Sequence, residues 1–153
     1  MTTHAHADSS WSTAISATLH CLTGCAIGEV LGMVLATWWG WGSLASIALA
    51  IVLAFIFGYA LTMRGLVAGG MAVRPALRIA LAADTVSVAT MEIVDNLLIL
   101  VNPGAIDATL SEGLFWGSLA LSLAIAFVAA FPVNRWMIAR GKGHAVAHAH
   151  HAH

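Results

Sequence analysis

Cys21, Cys25, Glu29 and Met33 recur every four residues, and His20, Gly24, Gly28 and Gly32 recur at the same interval one position earlier. On a helix of about 3.6 residues per turn, that interval keeps side chains on one slowly drifting stripe. Thiol, thioether and imidazole groups bind soft transition metals: sulfur donors select Cu(I), imidazole also suits Zn, and carboxylates widen the choice toward iron, manganese or protons. A second group follows at Asp84, Met91, Glu92, Asp95 and Asn96. At about 100° per residue, Asp84, Met91 and Asp95 align and Glu92 lies on their flank. The candidate metal set is therefore Cys21, Cys25, His20, Glu29, Asp84, Met91, Glu92 and Asp95. Cys21, Cys25 and His20 are the expected ligands; the four acids are expected to line a route or exchange protons.

Each of these residues also has a plainer explanation. Cysteine is among the residue types most often simply buried. Met33 and Met91 at helical spacing suit packing. Asp95 and Asn96 could hydrogen-bond across helices or cap a helix end. Gly24, Gly28 and Gly32 are expected to let another helix approach closely. A redox cysteine pair fits poorly, because Cβ atoms at i and i+4 on a helix stand about 5–6 Å apart and a disulfide wants about 3.8 Å. A haem site fits poorly too, since His20 is the only histidine within the apolar segments.

The elements that must position these residues are apolar and long. Four stretches, about 14–37, 43–63, 76–100 and 114–133, approach the roughly 20 residues that a membrane helix needs. Trp38 to Gly42 forms a tight connection, 64–75 a Gly-rich basic one, and Asn102-Pro103-Gly104 a stop. Pro75 suits the first turn of the third helix. The expected fold is all-α: a polytopic membrane protein with four transmembrane helices, both termini on one side, tails at 1–12 and 137–153 and the helical domain at 13–136. The second and fourth helices hold no charge and are expected to act as an apolar jacket.

Charge supports this class. The 153 residues hold six Lys+Arg and seven Asp+Glu, 8 % charged against 60 % hydrophobic, where soluble domains carry roughly 25 % charge. A disordered chain, a nucleic-acid binder and an ordinary soluble enzyme are excluded. No nucleophile–base–orienter set suggests catalysis, and two cysteines make no disulfide scaffold. All six bases lie in two segments: Arg64, Arg74 and Arg78, then Arg135, Arg140 and Lys142. The positive-inside rule places both in the cytoplasm and the 101–113 connection outside. Trp38, Trp39, Trp41 and Trp116 then form an outer aromatic belt, with Trp11 and Trp136 on the inner face. Leu22-Thr23-Gly24-Cys25 spells a lipoprotein cleavage box, but no Lys or Arg precedes it, so the charged start of a signal peptide is missing.

At about 1.5 Å per residue, His20 and Cys21 lie roughly 10 Å in from the basic side, as does Asp84, while Glu29, Met91 and Glu92 lie roughly 21–23 Å in. Cys21 is thus expected at the level of Asp84, and Glu29 at that of Glu92. An acid at mid-membrane costs roughly 2.5–3.5 kcal/mol on insertion scales. Glu29, Asp84, Glu92 and Asp95 have no buried base nearby in sequence, so each must be protonated, hydrated or bound to a cation. The tails add His4, His6, His144, His148, His150, His151 and His153, a composition that signals metal binding or a solubilising tail whose charge varies near neutral pH.

The runs Thr18-Leu19-His20-Cys21-Leu22-Thr23-Gly24-Cys25-Ala26-Ile27-Gly28-Glu29, Met91-Glu92-Ile93-Val94-Asp95-Asn96 and Phe131-Pro132-Val133-Asn134-Arg135-Trp136 together resemble a family of small four-helix bacterial membrane proteins known as a domain of unknown function. The resemblance covers about residues 12–142 and suggests a link to copper handling. The expected function is metal transport or homeostasis through an intramembrane transition-metal site in the bacterial inner membrane, with copper favoured and zinc or iron the alternatives. The lipid bilayer is the first partner, and a homo-oligomer built partly on the glycine seam is expected. The alternatives are an accessory subunit of a larger membrane complex, and a proton or cation pathway without metal.

Overall fold

The structure is a computed structural model that describes residues 3–102 and 104–140, with side chains from Trp11 onward. Four helices account for most of it: α1 (Thr3–Trp39), α2 (Ser43–Ala68), α3 (Val73–Val101) and α4 (Gly113–Ala139). No strand occurs among the described residues. The helices run up and down as an antiparallel bundle. Each packs on its neighbour in sequence, α4 closes against α1, and α1 also meets α3 across the centre.

The short connections follow from two glycines. Gly40, at φ 68°, ends α1 with Trp41 N–H donating to the Ala36 carbonyl at 2.9 Å. Gly70, at φ 92°, ends α2 the same way, with Met71 N–H donating to Leu66 at 3.1 Å. Both are left-handed helix caps, a conformation that a Cβ disfavours. Pro75 falls in the first turn of α3, and Asn102 caps its end.

Several boundaries move. Thr3–Ser10 continues α1 rather than forming a loose tail, so α1 reaches 37 residues, roughly 55 Å at 1.5 Å per residue. That exceeds the roughly 30 Å of a bilayer core. Helix α2 extends past Met63 to Ala68. Helix α4 runs through Pro132 to Ala139, although proline removes one backbone donor. His4 and His6 sit in α1, but their side chains lie outside the described residues, as do His144, His148, His150, His151 and His153.

The interior is small and polar, and the surface is large and apolar. Ala14, Ala36, Ala54, Ala76, Ala80 and Ala130 are fully buried, while Leu44, Val101 and Val128 are more than two-thirds exposed. A soluble core would be built the other way round, whereas small residues at helix interfaces are the membrane pattern. Trp11–Trp39, Ser43–Ala68 and Gly113–Ala139 are each long and apolar enough to cross a membrane, and the chain is read here as a membrane protein. Helix α3 has the length, at 29 residues, but Asp84, Glu92 and Asp95 lower its apolar character. All three are buried inside the bundle, and its outer face shows Leu77, Leu81, Val86, Ile93 and Leu97.

The two ends differ chemically. One carries the exposed Trp38, Trp39, Trp41 and Trp116; it is called the aromatic end below. The other, the basic end, carries exposed Arg64, Arg74, Arg78, Arg135 and Arg140. There Arg135 stacks over the Trp11 ring at 3.7 Å, and Arg140 over Trp136 at 4.3 Å.

Candidate functional site

The glycine stripe fixes where the polar stripe must point. A Cβ on Gly24 would lie 2.8 Å from the Gly58 Cα, one on Gly28 2.5 Å from the Ala54 Cα, and one on Gly32 2.7 Å from the Ala50 Cα. These three residues therefore press α1 against α2 backbone to backbone. The seam is filled within the chain by α2. With that edge committed to α2, the next position around the helix turns inward. Cys21 and Cys25 are each about 1 % exposed and unpaired as thiols.

Across the centre, α3 presents its own polar line. The Cys21 thiol donates to Asp84 Oδ1 at 3.6 Å, and the Cys25 thiol points at Met91 Sδ at 3.9 Å. The Glu92 carboxyl also comes within hydrogen-bonding reach of Cys25. One turn further, Glu29 meets Asp95, whose carboxyl also reaches the Ser122 hydroxyl of α4. The two candidate groups thus meet in one column. Cys21 stands at the level of Asp84, as the rise per residue predicts. Glu29 is matched to Asp95 more closely than to Glu92, because Glu92 is shared with Cys25.

The column closes at the basic end and opens at the aromatic end. Toward the basic end, the Asn134 amide donates to Thr18 Oγ1 at 2.9 Å and to Ser87 Oγ at 3.0 Å. Thr18 in turn donates to the Ala14 carbonyl at 2.7 Å. This fully buried cross-link ties α1, α3 and α4. Toward the aromatic end, a cavity of about 220 Å³ opens between the helices and the 102–112 connection. Its walls include Glu29, Asp95, Asp107, Trp41, Ser46 and Ser122. Glu29 Oε1, Glu92 Oε1 and Asp95 Oδ1 are buried without a hydrogen-bond partner, an expensive condition for carboxyl oxygens.

Not every candidate joins this column. His20 is half-buried and lines a shallow groove along α1 with Ser16 and Thr23, and its Nε2 has no partner. Among the described residues, no three His, Cys, Asp or Glu side chains converge as a metal-binding group. Met33 lines the cavity wall. Asn96 donates to the Glu92 carbonyl of its own helix at 2.8 Å, so it neither caps α3 nor crosses to a neighbour through that group.

Sequence reasoning missed five members of the column. Ser122 and Asn134 of α4, Ser87 of α3 and Thr18 of α1 are each buried, and Thr62 of α2 approaches Asp84. The apolar-jacket expectation for α2 and α4 therefore needs correcting: both present small polar groups inward. A spacing signal was available, since Ser87 falls one turn from Asp84 and Met91, and Thr18 one turn before Cys21.

Residues 10–143 match the family model described as Domain of unknown function (DUF4396), and the chain belongs to that family. No curated protein and no solved structure matches the chain significantly.

Proposed function

We propose that this member of a family without an assigned activity is a four-span membrane protein that binds a soft transition-metal ion, copper(I) before zinc or iron, between α1 and α3. We further propose that it passes the ion along the interior column, in metal transport or homeostasis. The fourth span is α3, whose acids face inward while its outer face is apolar. By the positive-inside rule, the basic end lies in the cytoplasm and the aromatic end outside, in the cell membrane.

The observation that carries the proposal is the 3.9 Å separation of Cys25 Sγ and Met91 Sδ. Two sulfurs bound to one ion at about 2.3 Å each, across a tetrahedral-to-trigonal angle, stand roughly 3.8–4.0 Å apart. Cys21 supplies a third sulfur one turn along the same face. Copper(I) accepts two or three soft ligands, so it does not require a cluster of three His, Cys or carboxylate groups. The thiols must lose their protons as the ion binds. Each has a carboxyl in reach to take one: Asp84 beside Cys21 and Glu92 beside Cys25.

The test is copper(I) competition with a coloured chelator on detergent-purified protein. Residues 143–153 are removed and His4 and His6 changed to alanine, so that only the bundle can bind. The expected result is about one tight ion per chain, weakened by Met91→Leu and lost in Cys21→Ser/Cys25→Ser, with sulfur scattering in X-ray absorption. No bound copper, zinc or iron in the otherwise unaltered bundle overturns the proposal.

A further inference from the structure

A different surface lies at the basic end, on the outer seam between α1 and α4. Phe127, Phe131 and Arg135 are four residues apart on α4, so they share one face. Trp11 of α1 meets them there. Its ring stands 5.5 Å from that of Phe131, which stacks in turn on Phe127 at 6.2 Å. The Arg135 guanidinium lies over Trp11 at 3.7 Å. Ile15 and Leu19 follow Trp11 at the same interval, each about half exposed, and border a shallow groove along α1. The seam thus carries a cation at its head and an apolar strip beneath it. From Arg135 to Phe127 the strip runs roughly 12 Å at 1.5 Å per residue, most of the roughly 15 Å depth of one leaflet of hydrocarbon.

Among the described side chains, the acids lie elsewhere: Glu29, Asp84, Glu92 and Asp95 inside the bundle, Asp107 and Glu112 in the connection at the aromatic end. The side chain of Asp8 is outside the described residues. Arg64, Arg74, Arg78 and Arg140 add exposed positive charge at the same end as Arg135. A guanidinium stacked on an indole keeps its N–H groups at the edge of its plane, free to donate as a fork. Phosphate oxygens match that fork. A phospholipid brings a phosphate together with a chain for the strip below it. An anionic headgroup suits this end better than a zwitterionic one, which would add a further cation to a positive surface.

We propose that the α1–α4 seam at the basic end is a binding site for one anionic phospholipid, its phosphate on Arg135 and an acyl chain along Trp11, Phe131 and Phe127. The site uses neither the sulfurs nor the interior carboxyls, and it stands independently of metal binding.

The experiment is native mass spectrometry of the full chain in detergent, titrated with phosphatidylglycerol or with phosphatidylcholine of the same acyl chains. One phosphatidylglycerol per chain is expected, held at least about fivefold more tightly than phosphatidylcholine, the effect of one cation near an anionic surface. Arg135→Gln and Trp11→Leu should each weaken it by about fivefold. Arg78→Gln, which removes an exposed charge at the same end but on α3, should leave it unchanged. Equal binding of the two lipids, or equal losses in Arg135→Gln and Arg78→Gln, overturns the site, because charge alone would then account for the binding. Excess inorganic phosphate should not displace the lipid; displacement would mean that the apolar strip contributes nothing and overturns the proposal. Circular dichroism and elution volume check folding. Trp11→Phe, which keeps an aromatic face, should bind as wild type does, and a loss as large as that of Trp11→Leu overturns the aromatic strip. All of these outcomes are readable whether or not the protein binds copper.

Discussion

Substituting Gly28 with alanine tests the packing that aims the whole column. The new Cβ would lie 2.5 Å from the Ala54 Cα and would also press on the Ala54 backbone nitrogen. Carbon contacts relax at about 3.5–4.0 Å, so α2 must retreat by about 1 Å. No side-chain rotation can relieve the clash, because the atoms met are helix backbone. Neighbouring approaches at Gly24 and Gly32, where a Cβ would come within 2.8 and 2.7 Å of α2 backbone, are also close, so the helices cannot pivot locally. Overpacking of this kind costs about 1–3 kcal/mol, against at most about 1 kcal/mol gained in helix propensity. Net destabilisation of up to about 2 kcal/mol is expected. Gly117 offers the control: a Cβ there meets nothing within 4 Å, so Gly117→Ala should be neutral or stabilising by up to about 1 kcal/mol. The assay is reversible unfolding in mixed micelles with increasing dodecyl sulfate, followed by far-UV circular dichroism. Since Cys25 and Glu29 flank Gly28, the same variant should weaken copper binding. Equal stability of Gly28→Ala and Gly117→Ala would refute the backbone seam.

Three further outcomes follow from other contacts. Asn134→Leu removes the donor shared by Thr18 and Ser87 and should destabilise the bundle by about 0.6–1.7 kcal/mol in the same unfolding assay; an unchanged transition would mean the cross-link contributes nothing. A double-mutant cycle of Trp11→Leu with Arg135→Gln should give a coupling of about 0.5–1 kcal/mol from the stacked cation, and zero coupling would show the 3.7 Å contact to be incidental. Truncation after Arg140 should remove weak copper and nickel binding while leaving the tight copper stoichiometry intact in equilibrium dialysis; loss of the tight ion would place the site in the tail.

The two sets of candidates behaved differently on folding. The stripe from Cys21 to Met33 and the line from Asp84 to Asp95 were legible because helical periodicity alone decides which residues share a face. Their meeting was only suggested by matched depths, since depth fixes a level and says nothing about facing direction. His20 illustrates the limit: its neighbour in sequence turns inward, yet one step around the helix takes it to a groove on the flank. Ser122 and Asn134 were missed because a single small polar residue in an apolar helix carries no periodic signal; its role depends on what stands opposite.

The sequence by itself determined the class. So few charges cannot clothe a soluble core, four apolar runs set the helices, and the confinement of arginine to alternate connections gave the chain two unlike ends. Only the tertiary structure decided the interior. Side-chain direction between helices is set by packing, here by Gly24, Gly28 and Gly32 pressing α1 onto α2, and that contact rotates the sulfurs and carboxyls toward α3. The same packing left the column tied shut at the basic end and open to a cavity at the aromatic end, an asymmetry no one-dimensional pattern contains.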